Sequence, residues 1–108
     1  MELAIEIKAK PGYFQELDQT LQALLPTIRK EKGCRGCRIY RDMEDGDIFF
    51  LSVHWKAQAN LEHYMRSTDG VALLGAIEVL SERAAVKKAL GARWAGHETL
   101  KKMTKKPG

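Results

Sequence analysis

The stretch that most constrains this chain is Ile48–Trp55, IFFLSVHW. In an extended strand Ile48, Phe50, Ser52 and His54 point to one side, and Phe49, Leu51, Val53 and Trp55 to the other. A strand with one wet face alternates apolar and polar residues, and this one hardly does. Both faces need a cover. With 108 residues, the chain can lay helices on one face but has little left for the second. A second copy of the chain is the expected cover there.

The segments around this strand give the rest of the order. Met1 to Ala9 alternates, with Leu3, Ile5 and Ile7 on one side, and reads as a strand. Lys10-Pro11-Gly12 breaks it. Phe14, Leu17, Leu21, Leu24, Leu25 and Ile28 then form a helical stripe. Pro26 falls inside that stripe, which predicts a kink or short break near residues 22–25. The strand over residues 37–42 is joined to Ile48–Trp55 by the turn Met43-Glu44-Asp45-Gly46-Asp47, where Gly46 is free to take a positive φ. Gln58–Arg66 reads as a short helix with Leu61, Tyr64 and Met65 inward. Ser67-Thr68-Asp69-Gly70 offers N-cap oxygens to a second helix running to about Ser81.

Residues 82–97 read two ways. Ala84-Ala85-Val86-Lys87-Lys88-Ala89-Leu90 has good helix propensity, yet a sheet of three strands gains from a fourth. The latter choice gives the split order βαββαβ, with the last strand around Val86–Trp94. Gly96 to Leu100 is then a turn and a terminal scrap of helix. The fold class is α+β, ferredoxin-like βαββαβ with an antiparallel sheet, paired into a dimeric α+β barrel.

Charge narrows the partners. The net charge is +4, but residues 101–108, KKMTKKPG, hold four lysines and no acid. Without them, basic and acidic residues are equal at 14 each. The excess belongs to a tail and not to a basic face, which speaks against nucleic acid. The expected organisation is a single domain over 1–100 and a flexible basic tail over 101–108. No apolar run approaches the roughly 18 residues a membrane helix needs, and the first residues lack a signal-peptide pattern. No membrane partner and a cytoplasmic location follow as expectations.

Several residues together resemble the antibiotic biosynthesis monooxygenase family: Pro11-Gly12 before the first helix, Gly33-Cys34 before the second strand, and the strand end at Tyr40–Asp42. Trp55, followed eight residues later by His63 and then by Ser67, fits too, as do Leu73-Leu74-Gly75 and Gly96-His97-Glu98 more loosely. The resemblance spans about residues 1–98. It implies a ferredoxin-like domain dimerised into a barrel, with ligand clefts between helices and sheet. It also implies departures. Val53 stands where many members carry a glutamate, and Leu51 where the cofactor-free polyketide oxidases carry an asparagine. The positions of the haem-degrading triad resemble Glu6, His63 and Leu73 or Leu74, which argues against haem degradation.

Two groups carry candidate chemistry. Cys34-Arg35-Gly36-Cys37 is a CxxC, and the bases Lys32, Arg35 and Arg38 would favour a thiolate. It lies before a strand rather than opening a helix, so the expected role is structural. A metal would need two more ligands. The second group is Trp55, His63 and Tyr64, which a strand end followed at once by a helix keeps together. These are the catalytic candidates, with His63 as general base because its ordinary pKa lies near neutrality. Tyr40 and Trp55 are candidate substrate contacts, and the resemblance adds Leu73 and Leu74. No phosphate loop, Ser-His-Asp order or HExxH occurs. An enzyme of this kind needs no cofactor if its substrate is a small aromatic or quinol that reduces O2 once deprotonated. The expected function is therefore a cofactor-independent monooxygenase. The alternative is a dimeric small-molecule-binding or structural module of the same fold.

Overall fold

A computed structural model describes residues 1–88 and 94–104. Strand β1 (Glu2–Ala9) leads into helix α1 (Phe14–Arg29), and β2 (Cys34–Arg41) and β3 (Ile48–Trp55) form the central hairpin. Helices α2 (Gln58–Arg66) and α3 (Thr68–Leu80) follow, then β4 (Ser81–Lys87), β5 (Ala95–Gly96) and α4 (Glu98–Met103). The sheet is antiparallel in the order β2-β3-β1-β4-β5. This is the expected α+β architecture with a short extra edge strand.

Register decides which face is the core. Leu3, Ile5 and Ile7 lie opposite Val53, Leu51 and Phe49, and all six are buried. Against them pack Leu17, Leu21 and Ile28 from α1, Leu61, Tyr64 and Met65 from α2, and Leu73 and Ile77 from α3. Glu6, Phe50 and Tyr40 run across β1, β3 and β2 on the opposite face. Glu6 and Phe50 are partly buried there, and Tyr40, on the edge strand, is half exposed.

The fourth strand is displaced from its expected place. It occupies Ser81–Lys87 rather than Val86–Trp94, beginning directly where α3 ends. Val86 pairs with Ile5 and Ala84 with Ile7 along the free edge of β1. These long-range pairings override the helix propensity of the alanines. Residues 89–93 of the expected strand lie outside the described residues, and Trp94 is exposed and in no strand. The terminal scrap of helix is α4, which runs past residue 100 to Met103 and buries Leu100 and Met103. The expected tail therefore starts inside a packed helix, and residues 105–108 of it lie outside the described residues.

Two further expectations give way to local chemistry. Helix α1 runs unbroken through Pro26. Proline deletes only its own bond to Gln22, while Leu21 and Ile28 are held in the core on either side. Gly46 is not among the glycines with positive φ, which among the described residues are Gly12 and Gly33. The turn is built instead by Asp42, whose Oδ1 accepts from the Glu44 and Asp45 amides, and by Arg41 Nε donating to Gly46 O at 2.8 Å. Gly33, at φ 84°, turns the chain into β2.

Candidate functional site

Helix α1 presents two stripes. Leu17, Leu21 and Ile28 face the sheet. Phe14, Asp18, Gln22, Leu25 and Arg29, spaced by three or four residues, form a second stripe turned toward the edge strand β2. Between that stripe and Arg38, Ile39, Tyr40 and Arg41 lies an open pocket of about 780 Å³, with Phe49 at its base. The volume is that of a small-molecule site.

The walls are of two kinds. Phe14 and Phe49 stack with centroids 5.1 Å apart and planes at 19°, and the Arg41 guanidinium sits 4.2 Å from the Phe14 ring centre. Arg29 donates from Nε and Nη2 to Cys37 O at 3.1 and 3.0 Å, tying the last turn of α1 to β2. The charged lining is Arg29, Arg38 and Arg41 against the single carboxylate Asp18. Such a surface can hold a flat apolar ring, stabilise negative charge on it, and accept a proton at Asp18.

Of the candidates read from the sequence, Tyr40 lines this pocket. Trp55 and Tyr64 do come together, with rings 5.6 Å apart and tilted by 35°, but inside the core at 1% and 2% exposure. The indole Nε1 and the phenol oxygen are both buried without a hydrogen-bond partner among the described residues. Burial, reinforced by the Asp69 carboxylate, holds the Tyr64 hydroxyl far into its neutral form. Leu73 and Leu74 are buried core residues. His63 points away from this cluster, with 76% of its side chain exposed and Nε2 3.9 Å from Glu31 Oε1. His63 thus has a carboxylate neighbour that Val53 does not supply, but none of Trp55, His63, Tyr64, Leu73 or Leu74 lines the pocket. His54 is exposed on the opposite side of β3 from Trp55.

The cysteines are free. The register slips between Cys34 and Gly36, so both sulfurs flank a bulge in β2. The Cys37 thiol is pushed up to about 12, first by burial and then by neighbouring Cys34, with Arg29 acting weakly the other way. The nearby bases therefore do not produce a thiolate at Cys37, because desolvation outweighs them. Among the described residues, no three His, Cys, Asp or Glu side chains gather as a metal would require.

The sequence reading missed the pocket because it scored α1 for its core stripe alone. The available signal was the parallel stripe Phe14, Asp18, Gln22, Leu25 and Arg29, mixed in character and therefore neither core nor plain solvent face.

Comparison with known proteins agrees with this architecture. The antibiotic biosynthesis monooxygenase family matches residues 1–72. A Pseudomonas aeruginosa protein of solved structure is 26% identical, with a TM-score of 0.76, over 87% of this chain and 93% of its own. A Mycobacterium tuberculosis protein is 21% identical with a TM-score of 0.75, covering 80% of this chain and 88% of its own. A crystal structure described as an antibiotic biosynthesis monooxygenase is 17% identical with a TM-score of 0.76, over 82% and 94%. At those last two identities the likeness is one of fold. No curated protein matches the chain.

Proposed function

The chain belongs to the antibiotic biosynthesis monooxygenase family, and from that premise we propose that it oxidises a small aromatic or quinol with O2 in the pocket between α1 and β2. The observation that carries this reading is the pocket lining: the partly buried apolar side chains Phe14, Leu25 and Ile39 beside three arginines and one carboxylate. The ring lies against the apolar wall. Asp18 accepts the phenolic proton, and the guanidinium groups stabilise the anion left behind. A hydroquinone then gives two electrons and two protons to O2, leaving a quinone and hydrogen peroxide. With an anthrone, one oxygen atom stays on the ring carbon as a ketone and the other leaves as water. In this reading no cofactor takes part.

His63, the base expected from the sequence, lies outside this pocket and is given no part in the step. Tyr40 borders the bound ring. The protein acts in the cytoplasm as a homodimer joined through the sheet face that carries Phe50, with no nucleic-acid or membrane partner. None of the described helices is long and apolar enough to cross a membrane.

Oxygen uptake with a panel of hydroquinones and anthrones, in metal-free buffer, tests the reading. Asp18→Asn is expected to lower the rate by roughly 10²–10⁴-fold, the usual cost of a lost general base. His63→Ala is expected to stay within about twofold of wild type. A large loss in His63→Ala with Asp18→Asn unaffected would move the site to α2. The second reading is a binding module without chemistry, and the absence of any histidine among the residues lining the pocket favours it. Binding of the panel with no oxygen uptake would establish it.

A further inference from the structure

The charges around the pocket select among aromatic ligands. Arg29, Arg38 and Arg41 line it against one acid, Asp18. A guanidinium carries about five N–H donors, and the internal bonds use only a few. Arg29 gives Nε and Nη2 to Cys37 O, and Arg41 gives Nε to Gly46 O. Those bonds hold both groups in place at the pocket wall while leaving donors free. Arg38 is exposed on β2 and, among the described residues, has no side-chain hydrogen bond or ion pair. A neutral ring would leave this positive lining without a partner. A planar acid group fits it, because a carboxylate takes two parallel N–H bonds from one guanidinium.

We propose that the ligand of this pocket is an aromatic ring bearing a carboxylate, with the ring along Phe14, Leu25 and Ile39 and the carboxylate held among Arg29, Arg38 and Arg41. The proposal rests on the reading of this pocket as the substrate site, but it concerns binding alone. Asp18 repels the same group and sets the orientation, keeping the acid end toward β2.

Fluorescence titration with two rings that do not depend on turnover, 1-hydroxy-2-naphthoate and neutral 1-naphthol at neutral pH, tests it. The naphthoate should bind at least about tenfold tighter, and its advantage should shrink as salt screens the charges. Arg38→Gln should remove most of that advantage and leave 1-naphthol within about twofold. Asp18→Asn should tighten the naphthoate severalfold, a gain that no folding defect produces. Equal binding of the two rings to wild type overturns the proposal while leaving the pocket a ring site. Binding of neither overturns it together with the pocket reading. An advantage insensitive to both Arg38→Gln and Asp18→Asn places the carboxylate elsewhere and overturns it as well. Tight naphthoate binding without oxygen uptake on the hydroquinone panel supports the proposal and removes only the oxidase chemistry.

Discussion

Tyr64 carries two effects in one side chain. Its ring fills the core beside Trp55, while its hydroxyl is buried with no partner among the described residues. An unsatisfied buried hydroxyl costs free energy, whereas the ring contributes by burial. Tyr64→Phe is therefore expected to be neutral or stabilising, within about 1 kcal/mol, and Tyr64→Ala to cost about 3–5 kcal/mol. Urea titration of the two variants separates the contributions, and a large loss in Tyr64→Phe would reveal a hidden partner for the oxygen. Cys37 yields a pH prediction. Its thiol titrates near 12 in the folded chain against an ordinary 9.0. Between those values the unfolded chain has lost a proton that the native one keeps. Stability is thus fully present below about pH 9 and falls as pH rises toward 12. Cys37→Ala should flatten that fall while leaving the fold at neutral pH intact. An equally steep alkaline decline in the variant would assign it to other groups, such as Tyr64.

The joint between α2 and α3 is closely packed. Ser67 closes one helix and opens the next, its Oγ accepting from the Gly70 amide at 3.1 Å. The close approach requires glycine: a Cβ on Gly70 would run into the carbonyl oxygen of Tyr64, which is backbone and cannot swing aside. Gly75, in the same helix, has open space where its Cβ would be. Thermal unfolding should therefore split the two alanine variants. Gly70→Ala is expected to lose about 1–3 kcal/mol by overpacking. Gly75→Ala should gain about 0.5–1 kcal/mol from helix propensity. Equal effects at both positions would contradict the close packing of α2 on α3.

At the scale of the molecule, the sheet face that carries Phe50 is the surface on which the proposed dimer rests. Phe49 is buried at 2% against Phe14, so of the two neighbouring phenylalanines only Phe50 can serve a partner on the other face. A homodimer through that face predicts that light scattering coupled to gel filtration gives twice 12.2 kDa. Phe50→Asp should shift the particle to the monomer mass without unfolding it. A clean monomer for wild type at micromolar concentration would defeat the proposed dimer.

The order of the first six elements and the two-sided character of Ile48–Trp55 were legible in the sequence, because a period of 2 or 3.6 is a local property of the chain. So were the inward residues of α2 and the capping role of Ser67–Gly70. The start of β4 was not. Ala84 to Val86 favour a helix locally, and the free edge of β1, distant in sequence, pulls them into the sheet. The pairing of Trp55 with Tyr64 could also be read, since strand and helix adjoin. Whether that pair meets a cavity or fills the core depends on Leu61, Met65, Leu73 and the sheet converging on it. The pocket is tertiary in the same sense: α1 and β2 supply most of its wall, and only their packing brings Asp18 and Arg29 opposite Ile39 and Arg41. Periodicity assigns a residue to a face of its own element, and packing alone decides what that face meets.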